Sequence, residues 1–320
     1  MTRYVLRRIL QTLPLIGLLL VINFVLIHAA PGDPITYLAG QSGDPSYFAE
    51  MRARYGLDRP IGEQLGLYLA NVLRGELGYS FAYSQPVLQV VFGRLPATLL
   101  LMASGLALAT GLGIWLGIAA ARWADTGLDH AIGGLALVGY SIPAFFLGQV
   151  LIIVFAAGLG LFPVQGMTTA RGGQTGLGYV LDVLPHLVLP AATLGLLQLA
   201  LVTRLTRTSL LEALREDYVR TAQAKGLGPR AVLYRHALRN ALLPIVTLVG
   251  SQVGTLVTGA VLTEIVFAWP GLGRLLFDAT LSRDYPLLMA IFLLLSISVV
   301  GANLLTDLAY LRLDPRVRYG

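Results

Sequence analysis

The most informative part of this sequence is the stretch RLTRTSLLEALREDYVRTAQAKGLGPRAVLYRHALR, from Arg204 to Arg239. It lies between long apolar segments and contains eight Lys and Arg residues. Each such cation costs about 2.5–3.5 kcal/mol at the centre of a membrane-spanning helix, so burying the whole stretch in lipid would cost on the order of 20 kcal/mol. We therefore predict that it lies outside the bilayer, on the side that favours positive charge.

The composition is that of an integral membrane protein. Hydrophobic residues make up 56% of the 320 positions and charged residues only 12%, about half the charged share of an ordinary soluble domain. The 36 glycines suit the close packing of helices in lipid. The absence of cysteine excludes disulfides, thiolate metal sites and thiol nucleophiles. The composition thus indicates an all-α integral membrane protein.

Six runs of mostly apolar residues are long enough to span a bilayer. They are 9–30, 97–121, 132–160, 183–203, 242–268 and 286–310. The first run follows Arg3, Arg7 and Arg8, as in a signal peptide, but it is longer than the 7–15 or so apolar residues of a cleaved signal. We interpret it as a retained first helix and predict six transmembrane helices.

The positive charges are distributed unequally between the two sides of this topology. With the N-terminus inside, fifteen Lys and Arg lie on the cytoplasmic side and eight lie outside. The positive-inside rule then predicts that both termini are cytoplasmic. Topology therefore accounts for the net charge of +6, and the expected surroundings are a lipid bilayer with no nucleic acid.

Chemistry that would let the chain work alone is missing from the sequence. Lys225 precedes Gly226 instead of following a glycine-rich loop, so there is no Walker-type phosphate loop. No His-Glu-x-x-His or Gly-x-Ser-x-Gly motif indicates a membrane enzyme, the second alternative that we consider. A secondary carrier or channel is the first alternative, and ion-coupled carriers usually have carboxylates or broken helices near mid-depth, of which this sequence shows no obvious set. The ionisable residues within the spans lie instead near the span ends: His28, His186, Glu264 and Asp307.

The basic stretch is predicted to form two short helices. Leu211, Leu214, Tyr218 and Ala222 recur at helical spacing and give the first helix one apolar stripe. Gly226 suits the position after a helix end, and Pro229 suits the first turn of the next helix. Two interfacial helices on anionic lipid are one interpretation. The alternative is a helix that docks in the groove of a cytosolic protein, which the small residues between Thr221 and Gly226 favour.

We predict three parts along the chain. The first, 1–94, is the opening span with an external segment 31–94, in which Gln64–Leu77 has helical spacing. This segment is too short for its own core and is expected to pack on the membrane body. The second, 95–310, is a five-helix core that contains the loop 204–241, and the third is a cytoplasmic tail, 311–320.

Several separate motifs, in order along nearly the whole chain, resemble one family. Glu216-Asp-Tyr-Val-Arg-Thr-Ala-Gln-Ala-Lys-Gly-Leu227 and His236-Ala-Leu-Arg-Asn-Ala-Leu-Leu-Pro244 resemble the cytoplasmic signature of bacterial ABC-importer permeases, most of all the first permease subunit of dipeptide, oligopeptide and nickel importers. The other matching stretches are Tyr4-Val-Leu-Arg-Arg8, Ala30-Pro-Gly-Asp-Pro34, Tyr55-Gly-Leu-Asp58, Arg94-Leu-Pro-Ala-Thr98, Gly139-Tyr-Ser-Ile-Pro143, Thr263-Glu-Ile-Val-Phe-Ala-Trp-Pro-Gly-Leu-Gly273, Arg283-Asp-Tyr-Pro286 and Asp314-Pro-Arg316. Aligned on Gly226, the superfamily's Glu-Ala-Ala positions are Arg220, Thr221 and Ala222, a departure that the peptide and nickel branch shares.

The resemblance implies a type I ABC importer permease fold in the bacterial plasma (inner) membrane, with no catalysis and no cofactor in this chain. It implies three kinds of partner: a homologous second permease, two cytosolic ATP-binding subunits that use ATP and Mg²⁺, and an external solute-binding protein. An exporter permease is the third alternative, but exporter helices typically extend far into the cytoplasm. The solute is expected to be a dipeptide, a longer peptide, a nickel chelate or another small molecule.

Two sets of site residues follow from this resemblance. A coupling helix is expected to contact the ATP-binding subunit, with close approach at Ala222 and Gly226 and with Arg220 and Lys225 meeting acidic groups. The full contact set is Tyr218, Arg220, Thr221, Ala222, Ala224, Lys225, Gly226 and Leu227. Tyr140, Pro143 and Gln252 are candidates to line the translocation pathway, with helix packing as the alternative.

Overall fold

The chain is helical almost throughout the residues that this computed structural model describes, which are 2–29, 45–54, 56–169, 173 and 175–313. The helices are α1 (Thr2–Ala29), α2 (Pro45–Arg54), α3 (Ile61–Arg74), α4 (Val87–Arg122), α5 (Gly127–Ser141), α6 (Ala144–Leu151), α7 (Leu177–Arg215), α8 (Asp217–Ala224), α9 (Pro229–Ala231), α10 (Leu238–Ser251), α11 (Val253–Val266), α12 (Leu272–Leu281) and α13 (Tyr285–Leu313). Two π-helical stretches follow α6 and α9, at Ile152–Gly158 and Val232–Ala237. Extended pairing within these ranges is limited to one bridge between Tyr79 and Pro86, which confirms the all-α class. The Ala30–Pro34 turn, Tyr55 and the tail from Asp314 lie outside the described residues.

Four described helical stretches are long and apolar enough to cross a membrane. They are Gln11–Ala29, Val87–Arg122, Leu177–Arg215 and Tyr285–Ala302. The bent pair Gly127–Ser141 and Ala144–Gly158 adds a fifth crossing if both halves form one span. The fifth predicted span, 242–268, corresponds to α10 and α11, which meet at Gln252. The total of six spans stays a prediction.

The third predicted span, 132–160, is two helices instead of one. α5 and the α6 segment are bent by 106° relative to each other. The break lies at Ile142 and Pro143, whose ψ angles of 127° and 137° are extended. Proline has no N–H to donate and disfavours a helical residue before it, so the break follows directly from Pro143.

The helix of the fourth predicted span, 183–203, continues much further than the sequence indicated. α7 runs to Arg215 and ends where Glu216 becomes extended, with φ −71° and ψ 149°. Its last turns bury Leu210 and Ala213, and this burial stabilises the helix beyond the apolar run. The prediction that one helix holds Leu211, Leu214, Tyr218 and Ala222 is therefore wrong, because the chain breaks between the second and third of these residues.

The described residues divide into two compact units, 1–98 with 270–301 and 99–269 with 302–320. The predicted division into 1–94, 95–310 and 311–320 stays a prediction. In the first unit, α3 ends at Gly75, which has φ 78° and donates its N–H to Val72 O at 3.0 Å. The helix predicted to end at Leu77 therefore ends three residues earlier, because a glycine in the left-handed region is a strong stop.

A turn after α3 is fixed to the beginning of α13 in the first unit. The buried Asp284 accepts the Leu287 N–H at 3.2 Å and the Ala82 N–H at 3.0 Å, and it also accepts the Ser80 hydroxyl. Phe81 and Val87 join a buried cluster with α12 and α13. The end of the proposed external segment thus packs on the helices of its own unit, while its packing on a membrane body stays a prediction.

In the second unit, glycines let α4 and α7 approach closely. A Cβ on Gly113 would lie 2.7 Å from Val202 Cβ, and a Cβ on Gly117 would collide with Thr206. Real Cβ atoms do not tolerate such distances, so these positions require glycine. Gly113 and Gly117 therefore form a small-xxx-small step that packs α4 against α7.

Candidate functional site

α8 is firmly seated on its own chain. Val219 is 0% exposed and Ala222 is 4% exposed. Both join a cluster of buried residues with Leu210 and Ala213 of α7. The same cluster includes Ala121 at the end of α4, Val232 and Ala237 of the π-helical stretch, and Ala241 of α10. Movement of α8 therefore requires the helix ends beneath it to move as well.

α8 ends in a two-bond cap that depends on glycine. Gly226 has φ +80°, and its N–H donates to Gln223 O at 2.9 Å. The Leu227 N–H reaches back to Ala222 O at 3.3 Å, which completes a Schellman motif. Pro229 then opens α9 at its first position, so both predicted boundary signals are confirmed. A Cβ on Gly226 would meet nothing within 4 Å, so the backbone conformation and not space requires glycine here.

The outward side of α8 is polar, basic and exposed. Tyr218 is 37% exposed and Leu227 is 40% exposed. Arg220 is exposed and lies 3.6 Å from the Asp217 carboxylate, a surface ion pair that leaves the guanidinium available. The Thr221 hydroxyl donates to Asp217 O at 2.9 Å. Ala224, Lys225 and Gly226 are also exposed.

Seven of the eight predicted coupling residues thus lie at one surface, and Ala222 does not. The Ala222 side chain is buried against its own chain, so the expected close approach of a partner at this position stays a prediction without direct support. Its small size instead lets α8 lie close to α7. Sequence periodicity also placed Tyr218 on the apolar stripe, whereas Val219 is the buried residue.

The three predicted pathway residues line one open cavity. Tyr140, Pro143 and Gln252 surround a space of about 440 Å³ in the second unit. The remaining lining residues are Ser141, Ile142, Ala144, Leu197, Gln198 and Leu201. None of these described lining residues is charged, and the polar groups among them are hydroxyls and amides. The cavity therefore offers neutral hydrogen-bonding groups on an apolar wall.

The 106° bend positions this cavity. Tyr140 lies one residue before the end of α5, and Pro143 immediately precedes α6. Pro143 O accepts the Leu147 N–H at 2.9 Å, which starts α6 in its new direction. The Ser141 hydroxyl donates to Leu137 O at 2.9 Å and satisfies one carbonyl near the end of α5. A broken helix beside a polar cavity is a usual architecture for solute sites in membrane transporters.

Sequence reasoning missed an ion pair between α5 and α7. Arg207 Nε donates to Asp129 Oδ1 at 2.7 Å, and Arg207 Nη2 donates to Asp129 Oδ2 at 2.6 Å. Asp129 is 6% exposed and also accepts the Asp125 N–H at 2.9 Å. The partners are 78 positions apart, so no local periodicity joins them. An acid in the first turn of a helix was the one available signal, and it commonly reflects the helix dipole alone.

The described residues hold no group of three or more His, Asp or Glu side chains that could bind a metal ion. The basic surface of α8 and the neutral cavity are therefore the two features to interpret.

Comparison with known proteins assigns this chain to a class. Residues 113–319 match the family described as binding-protein-dependent transport system inner membrane component, and residues 1–102 match the corresponding N-terminal family. The chain belongs to this family of transport-system membrane subunits. It is a membrane permease subunit and not the ATPase of such a system.

Its relatives are similar from end to end. The dipeptide transport system permease protein DppB of Escherichia coli K12 is 40% identical over 339 aligned positions, which cover 100% of this chain and 99% of that protein. The di/tripeptide transport system permease protein DppB of Pseudomonas aeruginosa UCBPP-PA14 is 40% identical over 334 positions, with 100% and 99% coverage. These matches confirm the predicted ABC-importer permease family.

A solved transporter shares the fold. In the inward-facing methionine ABC transporter MetNI, one chain aligns with a TM-score of 0.58 at 16% identity. The alignment covers 72% of this chain and 99% of that one. At this identity the likeness establishes the permease fold alone, which agrees with the predicted fold class.

Proposed function

We propose that this chain, together with a second homologous permease, forms the translocation pathway of an ATP-driven peptide importer. The observation that carries the proposal is its 40% identity, over the full length, to proteins named as dipeptide and di/tripeptide permeases. The open cavity with amide and hydroxyl groups supports it, because a peptide backbone presents amide donors and acceptors. Nickel and other solutes of the same family are the competing substrates.

The proposed assembly contains two ATP-binding subunits on the cytoplasmic side and a solute-binding protein on the outside. ATP and Mg²⁺ bind to the partner ATPases, while this chain supplies the surface that follows their closure. ATP favours the closed ATPase pair, and a two-state permease responds as a rigid body to that bias. The inner-membrane location follows from the family, and the proposed orientation has both termini in the cytoplasm.

α8 is the proposed coupling helix. Its exposed side offers two cations, Arg220 and Lys225, that fit a groove with acidic groups. Its buried side, through Val219 and Ala222, fixes it to the ends of neighbouring helices. The combination of an accessible outer side and an immobilised inner side suits a lever better than a lipid anchor, since a lipid anchor would expose more apolar surface.

A bulky substitution on the outer side of α8 tests the coupling role. Ala224 is exposed at the last position of α8, so Ala224→Trp adds volume at the proposed interface without entering the core. We expect normal amounts of membrane-inserted permease, loss of copurifying ATPase and loss of ATP-dependent uptake. Gly127→Trp is the matched control, because Gly127 is exposed, helical and free of neighbours within 4 Å. Wild-type uptake and complex recovery with Ala224→Trp would remove the coupling assignment.

The absence of native cysteine gives a direct test of orientation. A single cysteine in place of Ala224 is expected to react with a membrane-impermeant thiol reagent only from the cytoplasmic side. A single cysteine in place of Leu73 of α3 is expected to react only from outside, because Leu73 is 89% exposed in the proposed external segment. The reverse labelling pattern would overturn the proposed topology.

A further inference from the structure

The Asp129–Arg207 ion pair is built more strongly than a surface salt bridge. Both carboxylate oxygens accept a guanidinium N–H, at 2.7 and 2.6 Å, and Oδ2 accepts the Asp125 N–H as well. Asp129 is nearly fully buried, and Arg207 is about one-third exposed on its side chain. Removing one partner of such a pair leaves a buried charge without compensation, whereas an exposed pair is lost at little cost.

This pair lies between α8 and the cavity. Leu210 and Ala213, on which α8 is seated, follow Arg207 on the same helix by three and six residues. Asp129 lies in the first turn of α5, and α5 ends at Ser141 in the wall of the cavity. Displacement of α8 thus passes to the end of α7, and the bidentate contact fixes the first turn of α5 to that end of α7, against which α5 also packs.

We propose that Asp129 and Arg207 are a positioning pair that transmits movement of α8 to α5 and thereby reshapes the cavity at the 106° bend. This inference rests on the proposed function, because it requires an ATPase that drives α8. A helix is stiff along its axis, so a fixed contact at one end moves the other end. α5 is separated from α6 by a break, so its packing on α7 and the bidentate contact at its first turn are what tie it to the movement of α7.

The test uses the complete complex of both permeases, ATPases and binding protein in proteoliposomes, with peptide uptake and ATP hydrolysis measured together. Asp129→Asn removes the charge and keeps the size. We expect it to keep ATP hydrolysis within about twofold while uptake per ATP falls roughly two- to thirtyfold, the range for residues along a coupling route. Arg207→Lys keeps the charge but loses the bidentate fork, so an intermediate loss is expected. The reciprocal exchange Asp129→Arg with Arg207→Asp is expected to restore part of the lost ratio.

Asp125→Asn is the matched control. The Asp125 carboxylate lies 3.7 Å from Arg207 Nη2 and is 93% exposed, so its loss is expected to leave uptake per ATP unchanged. The inference is overturned if uptake and hydrolysis fall in proportion in both Asp129→Asn and Arg207→Lys, or if neither variant changes the ratio. If Asp129→Asn does not assemble, a wild-type ratio in Arg207→Lys overturns it alone. A wild-type complex without ATP-dependent uptake would instead refute the proposed function.

Discussion

α8 and α3 are two short amphipathic helices. They have the same kind of C-terminal cap but differ in how deeply their side chains are buried. Each is followed by a glycine in the left-handed region, Gly226 with φ +80° and Gly75 with φ +78°, and the next residue donates its N–H back into the helix, Leu227 to Ala222 O and Glu76 to Asn71 O. α8 buries Val219 and Ala222, whereas no residue of α3 is fully buried. A helix that must transmit force needs a fixed base, while a helix that only meets a partner can lie on the surface. The contrast supports the proposed coupling role of α8, and we propose that α3 receives the external binding protein.

The largest loss of uptake is expected from a polar group on the buried side of α8. Val219→Asn places an amide where the side chain is fully buried, at a cost of about 1–3 kcal/mol if it stays unpaired. We expect loss of ATP-dependent uptake, measured in membrane vesicles against the amount of assembled complex. Leu65→Asn in α3 is the matched change, and because Leu65 is only partly buried we expect a smaller loss. Equal losses would mean that the two helices are seated alike.

The second effect tests the two caps. Gly226→Ala and Gly75→Ala each force a side chain into the left-handed region, which costs about 1–2 kcal/mol per residue. Neither added Cβ meets an atom within 4 Å, so both variants measure the cost of the left-handed backbone alone, without a steric clash. We expect Gly226→Ala to lower uptake more than Gly75→Ala does, since only the first cap positions a force-transmitting helix. Gly228→Ala, at φ −66°, is expected to behave as wild type. A greater loss of uptake with Gly75→Ala than with Gly226→Ala would contradict the proposed coupling role of α8.

A third, smaller effect concerns the receiving surface. Leu73 of α3 projects into solvent, so Leu73→Glu removes apolar contact area without disturbing a core. We expect the concentration of binding protein for half-maximal uptake to rise about threefold to tenfold, with the maximal rate unchanged, because loss of one apolar contact is worth about 1 kcal/mol. An unchanged concentration would exclude this part of α3 from the interface.

The smallest effect is a pH dependence in the first unit. Burial raises the pKa of Tyr68 in α3 to about 12 from the ordinary value of 10.0. Because the pKa is higher in the folded protein, the unfolded chain loses the Tyr68 proton first as the pH rises. The contribution of Tyr68 to folding stability is therefore fully present below pH 10 and is lost as the pH rises through 12. The melting temperature should fall more steeply over this window in wild type than in Tyr68→Phe. Identical slopes would contradict the burial of the Tyr68 hydroxyl.

The sequence predicts best what depends on local chemistry. Gly226 and Pro229 mark the end of α8 and the start of α9 because left-handed backbone and a missing N–H are properties of single residues. The protein family could also be predicted from the sequence, since its motifs extend over the chain. The position where α7 ends could not be predicted, because its last turns depend on burial of Leu210 by segments distant in sequence.

The same limit applies to the candidate sites. Hydrophobic periodicity placed Tyr218 inward, while packing selected the neighbouring Val219. The cavity was partly predictable, since Tyr140 and Pro143 belong to one motif at a helix break. The ion pair of Asp129 and Arg207 could not be predicted, because a contact between two helices far apart in sequence produces no periodic pattern of residues.

Reconstitution is the sharpest test of whether transport through this permease depends on an ATPase partner. The two permeases should be placed in proteoliposomes with the external binding protein and labelled dipeptide, with and without the ATP-binding subunits and ATP. The account predicts accumulation only when both ATPase and ATP are present, and none in the complex that carries Ala224→Trp. Accumulation by the permeases without any ATPase would contradict it.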